Sequence, residues 1–374
     1  MKLLITGSSG FIGRNLCANF SMWPDTEILL FDLDDPPETL ESHAKACDFV
    51  LHFAGVNRPE SEKEFQTGNV DLTRKLVALL ESRPVPLVLS SSTQATLDNP
   101  YGQSKKAAEE AAFAYAERTG AKVFVYRFPN VFGKWCRPNY NSVVATFCHN
   151  AAKGLPLRID APEKELTLVY VDDLVADLAK VLDGQKQPGP NGFCTVEPEY
   201  TITLGELAQA ITDFAASRSN LTQGYDRADP LLRKLYSTFT SYIPEDKLSV
   251  AADMKPDARG YFAELIKSPH FGQISVSRTK PGIVRGNHWH NSKAEKFIVI
   301  EGQAVIRFRK YGGGQAIEYP VSGEKIEIVD IPAGYSHSIQ NIGSTDVLTV
   351  FWAGEPFDLG APDVFPLEVF HAQA

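Results

Sequence analysis

The sequence contains no apolar run approaching the ~18 residues that a membrane-crossing helix needs, so no membrane span is expected. It has no excess of positive charge. Lys and Arg number 37 against 46 Asp and Glu, a formal net charge of −9. Nonspecific nucleic-acid binding rests on a basic face, so no nucleic-acid partner is expected. A small anionic substrate stays open, because one pocket can be positive in an acidic protein. Cysteine is sparse: five residues, at 17, 47, 136, 148 and 194, with no CxxC pair. An odd, scattered set reads as free thiols in a reducing cytoplasm. There is no low-complexity tract and no internal repeat. Lys2-Leu3-Leu4-Ile5 already reads as a strand, which leaves no room for a signal peptide and points to a cytoplasmic protein.

What is present is ordinary globular composition over 374 residues, 43% hydrophobic and 22% charged, a length that suggests two domains. The densest chemistry lies in Gly282–Gly302, GIVRGNHWHNSKAEKFIVIEG. Alternation along a strand puts His288 and His290 on one face. Glu295 follows, and PAGYSHSIQN later supplies His337. Three imidazoles and a carboxylate suit one divalent metal ion, against the alternative of an ordinary surface His-x-His. KFIVI, AVIRFR, IEIVDI and DVLTVFW are short strand-like runs between Gly- and Pro-rich turns. These motifs resemble the cupin family, which implies a small antiparallel β-barrel with inward-pointing ligands. One departure is Ile326, where the second cupin motif has glycine; Gly323 nearby reads as a shifted turn.

The N-terminal half has a different order: strand KLLIT, turn Gly7-Ser-Ser-Gly10-Phe-Ile-Gly13, then a helix. Such glycines let a pyrophosphate approach the backbone at a helix N-terminus. Strand EILLFD ends in Asp32, 19 residues after Gly13. An acid there bonds the ribose 2′-OH and favours NADH, while Arg14 could pair with a phosphate. LVLSSS ends in hydroxyls at Ser92, and Tyr101-Gly-Gln-Ser-Lys105 opens a helix nine residues later. Residues i and i+4 share a helix face, so Lys105 is placed to lower the Tyr101 phenol's pKa and make it a usable proton donor.

TGSSGFIG, DFVLHFAG, GNV, SSS before Tyr101-x-x-x-Lys105, RFPNVFG and VYVDDLV resemble the extended short-chain dehydrogenase/reductases over residues 1 to about 243. The resemblance implies a Rossmann-like, doubly wound parallel α/β sheet acting on nucleotide sugars. It implies Ser92, Tyr101 and Lys105 as the catalytic set. Gly7, Gly10, Phe11, Ile12 and Gly13 would bind the cofactor, with Asp48 near its adenine and Asn130 near the substrate. Lys134 and Arg137, in FGKWCRPNYNS, suit an anionic diphosphate or are merely solvated loop charges. The expected domains are 1–243 and an all-β cupin domain, 248–374, divided at Pro244-Glu-Asp-Lys247.

The fusion as a whole resembles the CapF-type family of capsular polysaccharide synthesis enzymes, on NPYGQSK, FPNVFGKWCRPNYNSV, LYSTFTSYIP, KPGIVRGNHWHNSKAEKF and VDIPAGYSHSIQN. That resemblance implies a UDP-linked 4-keto-6-deoxy amino sugar as substrate, C3 epimerisation by the cupin and C4 reduction by the first domain. It also implies NADPH, Zn2+ and a homodimer. NADPH conflicts with the Asp32 argument for NADH, and both are carried forward. Lys296, Tyr311, Tyr335 and Glu264 are candidates for the cupin's base. Two alternatives stand beside this reading: a reductase whose barrel only binds or dimerises, and a noncatalytic nucleotide sensor.

Overall fold

The structure, a computed structural model, describes residues 1–370 except 190, 224, 227 and 361. Backbone contacts divide the chain into two compact units. One comprises residues 1–211 and 230–244; the other takes 212–229 and everything from Glu245 onward.

In the first unit, strands β1 (Lys2–Thr6), β2 (Glu27–Phe31), β3 (Phe49–His52), β4 (Leu87–Ser92), β5 (Val123–Phe128) and, later in the chain, β8 (Phe193–Cys194) form one parallel sheet in the order β2-β1-β3-β4-β5-β8. A parallel sheet covered on both faces needs strands that are apolar throughout. In β1, Leu3, Leu4 and Ile5 are all fully buried. Leu3 and Ile5 join one apolar cluster with Leu51, Val88 and Tyr126, while Leu4 joins another with Val50, Leu89 and Val125, as period-2 alternation requires. The strand order reverses direction at β1/β3, which opens a crevice beyond their C-terminal ends. A small second sheet joins β6 (Asn130–Phe132), β7 (Glu165–Tyr170) and β9 (Tyr200–Thr203). This is the doubly wound α/β domain that the sequence predicts.

From Met254 onward the second unit is all-β; before that it takes in the end of the helix Leu204–Asn220. One sheet has the order β10 (Met254–Asp257), β11 (Gly260–Ser268), β12 (Gly272–Thr279), β19 (Val347–Ala353), β14 (Glu295–Glu301), β17 (Ile328–Ile331). The other runs β16 (Ile317–Ser322), β15 (Gln303–Lys310), β18 (Tyr335–Asn341), β13 (Val284–Trp289), β20 (Phe365–Pro366). Phe297, Val299 and Val347 of the first sheet meet Ile306, Phe308 and Ile339 of the second in a shared apolar core. Gly323 carries the turn after β16: a Cβ there would lie 2.2 Å from the Ile300 carbonyl oxygen, whereas Ile326 is exposed. The shifted turn thus has a steric basis.

Backbone contacts group 212–229 with the later residues, while 230–244 stays with the first unit up to the expected boundary near 244. Residues 204–243 read as wholly N-terminal, yet Lys267 N donates to Leu221 O at 2.7 Å and Gln223 N donates to Lys267 O at 2.8 Å. Those backbone bonds at the edge of β11 tie 221–223 to the second unit. Among the described residues no helix is long and apolar enough to cross a membrane.

Tyr115 tests the packing of the first unit. Its fully buried hydroxyl donates to Val85 O and accepts from Val85 N, both at 2.9 Å. Tyr115→Phe orphans both backbone groups and should cost about 1–3 kcal/mol. The expected result is a lower urea midpoint for the transition of this unit with an unchanged slope.

Candidate active sites

The crevice at the end of β1 is shaped by two glycines. Gly7 has φ +70°, and a Cβ on it would lie 2.6 Å from Ala54 N; one on Gly13 would lie 2.0 Å from Gly7 O. Only a chain without side chains turns here so close to the end of β3. Gly10 precedes helix α1 (Phe11–Phe20) with no side-chain cap, which leaves N–H groups of the first turn for an anion. Gly7, Gly10, Phe11, Ile12 and Gly13 all line a cavity of about 880 Å³.

Asp32 braces this loop. Its carboxylate accepts from Ser9 N at 2.5 Å, Ser8 Oγ at 3.2 Å and Leu33 N at 3.0 Å. Partial burial would raise its pKa, but those hydrogen bonds outweigh it and hold the carboxyl below its ordinary range. Asp48 requires a correction. It precedes β3 at the N-terminal end of the sheet, where it accepts from Lys2 N at 2.7 Å and pairs with Arg83 at 2.9 Å. Because β1 and β3 are parallel, this is the end opposite the glycine turn. The DFVLHFAG match places a strand, and its first residue cannot meet an adenine at the other end.

Ser92, Tyr101 and Lys105 line the same cavity as the glycine loop. Asn99 caps the Pro100–Thr119 helix through Gly102 N at 2.8 Å, and Pro100 occupies its first turn. The helix start thus fixes Tyr101 and Lys105 one turn apart. Tyr101 Oη accepts from Asn57 Nδ2 at 3.4 Å, and Lys105 Nζ donates to Ser90 O at 3.1 Å. The expected lowering of the phenol by Lys105 is not what the structure shows. Burial raises the Tyr101 pKa, with Ser92 hydrogen bonding in opposition. Burial brings Lys105 down to about 8, with Glu109 pulling it back up.

Two groups hold this set: Asn69, marked in the sequence only as part of GNV, and Glu109, which sequence reasoning missed. Asn69 Oδ1 accepts from Val56 N at 2.8 Å, while its Nδ2 donates to Val56 O at 3.0 Å and Ser104 Oγ at 2.9 Å. Glu109, one further turn along from Lys105, accepts from Ser91 Oγ at 2.5 Å and from Arg127 at 2.9 and 2.6 Å. Its i+4 spacing from Lys105 was the available signal. Asn130 and Arg137 line the cavity, and Arg137 stacks 5.2 Å over Tyr140. Lys134 is instead engaged by Asp172 at 2.6 Å and is not part of the lining; Arg14, stacked 5.2 Å over Trp135, is.

The barrel gathers the second set. His288 on β13 faces His337 on β18, and Glu295 begins β14 in the opposite sheet. Ligating atoms of His288, His290, Glu295 and His337 all lie within 4.8 Å of one another. A bulge between Gly286 and His288, with Asn287 at φ +60°, turns the strand at this point. His290 Nδ1 lies against the Asp363 carbonyl and His337 Nδ1 lies 3.3 Å from the Tyr335 carbonyl. A carbonyl only accepts, so both Nδ1 atoms carry the proton. Both Nε2 atoms then point inward, buried, at 3.2 and 3.3 Å from Glu295 Oε2. Imidazole nitrogens and a carboxylate oxygen converging at this range make a donor set that fits a divalent metal. Burial, with its two imidazole neighbours, lowers His288 to about 4, which keeps it in the neutral, ligating form.

Asp363, outside every motif read in the sequence, locks this loop. Its carboxylate accepts from Asn291 N, Ser292 N and Lys293 N at 2.7, 2.9 and 2.9 Å, while its carbonyl orients His290. Beside the ligands lies a cavity of about 470 Å³. Of the four candidate bases only Glu264 lines it. Lys296 is paired with Asp330, Tyr311 stacks on Trp289 at 4.5 Å, and Tyr335 packs against the apolar core. Lys293, which sequence reasoning passed over, is buried in the lining 3.7 Å from Glu295.

A nucleotide-binding α/β domain with a Ser-Tyr-Lys set, joined to an all-β domain with a histidine-rich metal quartet, defines the class. Residues 3–192 match the NAD dependent epimerase/dehydratase family, and residues 255–365 match the polysaccharide biosynthesis C-terminal domain. The chain belongs to the NAD dependent epimerase/dehydratase family, among the CapF-type proteins that carry this second domain. It is 44% identical, over 99% of both chains, to the UDP-2-acetamido-2,6-beta-L-arabino-hexul-4-ose reductase of Pseudomonas aeruginosa. The crystal structure of the capsular polysaccharide assembling protein CapF from Staphylococcus aureus superposes with a TM-score of 0.91 at 45% identity, covering 99% of this chain and 100% of that one. The UDP-glucuronic acid 4-epimerase of Bacillus cereus, solved with NAD, shares the fold over 67% of this chain, with a TM-score of 0.56 and 15% identity.

The quartet predicts about one divalent ion per chain by elemental analysis. His290→Ala removes one of few protein ligands and should sharply lower occupancy. Asp363→Ala leaves every ligand in place but frees the loop, and should weaken metal affinity about 10–100-fold in chelator competition.

Proposed function

We propose that this chain is a bifunctional nucleotide-sugar enzyme. In this reading the barrel inverts C3 of a UDP-2-acetamido-2,6-dideoxy-4-keto-hexose of the L-arabino configuration, and the α/β domain then reduces the C4 ketone. The product is UDP-2-acetamido-2,6-dideoxy-L-talose, for surface polysaccharide synthesis. The observation that carries the reductase half is Ser92, Tyr101 and Lys105 around one cavity with the glycine loop. The printed activity of the full-length Pseudomonas aeruginosa relative, a 4-ketose reductase, supports the substrate class.

Ser92 donates a hydrogen bond to the C4 oxygen and orients the carbonyl. Tyr101 gives its phenolic proton to that oxygen as the alcohol forms. The buried Lys105 ammonium stabilises the phenolate left behind. Arg14, Arg137 and Asn130 hold the nucleotide end. NADPH or NADH, when bound, supplies the hydride; the glycine loop and α1 would hold its diphosphate, with Asp32 bracing that loop. In the barrel, His288, His290, Glu295 and His337 would hold zinc, which when bound supplies Lewis acidity toward the carbonyl. Glu264 and Lys293 face that cavity as groups able to move the C3 proton. The order follows from acidity: the C3–H is acidic only while C4 is a ketone.

The test is product analysis by NMR in deuterated water with the purified full-length protein, the 4-keto sugar and each nicotinamide cofactor. Tyr101→Phe should lower cofactor oxidation at least about 100-fold while C3 deuterium incorporation persists. His290→Ala should lose C3 incorporation beyond the no-enzyme control. If Tyr101→Phe reduces at the wild-type rate, the catalytic set is wrong. If the metal-loaded wild type gives no C3 exchange, the barrel returns to a binding or dimerisation role. Reduction should also decline above about pH 8. Lys105's pKa is lowered to about 8, so its stabilising charge is present below that pH and is lost as pH rises through it.

A further inference from the structure

We propose that Arg259 and Arg285 form a diphosphate-binding subsite in the barrel cavity, so that each chain carries two separate nucleotide-diphosphate sites. The identity of the anion rests on the epimerase reading above; the existence of an anion subsite rests on geometry. In a chain of net charge −9, this cavity is lined by Lys255, Arg259, Arg285 and Lys293 against Glu264, Glu295 and Glu355. Lys293 and Glu295 belong to the metal end. Glu264 is engaged by Lys267 at 2.8 Å and Gln273 at 3.3 Å.

Arg259 and Arg285 share one carboxylate. Asp257 lies 2.6 Å from the first and 3.6 Å from the second. Arg285, at the longer distance, is the less fully neutralised of the two guanidiniums. Arg285 is no wandering surface group: Nε donates to Thr279 Oγ1 at 3.1 Å, Nη2 donates to Arg278 O at 3.4 Å, and its side chain is 13% exposed. Burial and the neighbouring Arg259 disfavour its charge, a penalty that a bound anion would relieve. With Nε and Nη2 engaged, the guanidinium is held in a fixed plane, and its Nη1 edge is the one left to meet a phosphate oxygen.

The bulge supplies the register. Arg285 and His288 are three apart, an odd spacing that would put them on opposite faces of a regular strand. The extra residue, Asn287 at φ +60°, returns both to the same cavity. Arg285 pairs with Ile339 and His288 with His337, two residues apart on β18, a separation of about 7 Å along the strand. That spacing lets a sugar ring lie at the metal while its anomeric diphosphate meets the arginines. The reductase crevice holds its own glycine loop and cations, so the epimerised sugar nucleotide leaves one subsite and enters another between the two steps.

The experiment titrates UDP into metal-loaded full-length protein, with NADP+ present, and reads stoichiometry by calorimetry. Two sites per chain are expected in the wild type and one in Arg259→Ala/Arg285→Ala, with metal content unchanged as the check on folding. Arg285→Lys, which keeps charge but loses the planar fork, should weaken that site at least about 10-fold. Inorganic pyrophosphate should compete for the arginine-dependent site. One UDP per chain in the wild type overturns the proposal, as does an unaltered second site in the double variant or a second site indifferent to pyrophosphate. If the wild type binds two UDP and the double variant one, the subsite stands even where C3 exchange is absent, and only the epimerase reading falls.

Discussion

A buried ammonium is the constraint on which the reductase half depends. Lys105 is enclosed where its charge is disfavoured, and an uncompensated charge in such a place is costly. The compensation spreads outward. Ser90 offers its carbonyl, and Glu109 supplies opposite charge one helical turn away. Glu109 is itself buried and needs Arg127 and Ser91, whose strands β5 and β4 thereby become fixed to the helix that carries Tyr101. The ion pair of Arg127 with Glu109 therefore contributes through position more than through net stability, since desolvation offsets much of a buried pair's attraction. The same helix places Ser104 against Asn69, whose amide pins Val56 beside the crevice.

The barrel solves a different problem with backbone instead of charge. Its ligands come from two facing sheets, so no single hairpin can preassemble them. The bulge in β13 aims His288, and the Asp363 carboxylate gathers three successive N–H groups that would otherwise leave the Asn291–Lys293 loop free. The Nε2 atoms of His290 and His337 converge on Glu295; burial would raise its pKa, but those two imidazoles hold its carboxyl well below its ordinary range. Phe297 and Ile339 continue the same strands into the apolar core, so packing beyond the site fixes the spacing of the quartet.

Most of this was legible in the sequence where a motif has a steric or coordination reason. The glycine turn, the Tyr101–Lys105 spacing and the histidine quartet all fall on the expected elements, because each depends on local geometry of a few residues. The failures are long-range. Asp48 carries the right residue type, but only the parallel pairing of β1 with β3 shows which end of the sheet it occupies. Lys134 sits in a promising loop, yet Asp172, 38 residues away, claims it. Asp363 lies 73 residues beyond His290, outside any motif window. The effect of burial on Tyr101 and Lys105 was missed for the same reason: a helix face predicts neighbours and says nothing of what covers them.

In the reading proposed above, the two halves would share one chemical logic. A 4-ketone makes the adjacent C–H acidic, and reduction removes that acidity permanently. A chain that held only the reductase would trap whatever C3 configuration reached it. Joining the barrel to the same chain keeps the two activities in equal numbers, but the acid that ends C3 chemistry, Tyr101, lines a different cavity from the metal quartet. Selectivity then falls on the reductase crevice. On that reading Ser92 and Tyr101 would have to accept the C4 oxygen of the inverted sugar in preference to that of its precursor, because nothing in the barrel could undo a premature reduction. The helix start capped by Asn99 and Pro100 and the 3.4 Å Asn57 contact to the phenol are the features that hold Tyr101 in place at that crevice, where such a choice would be made.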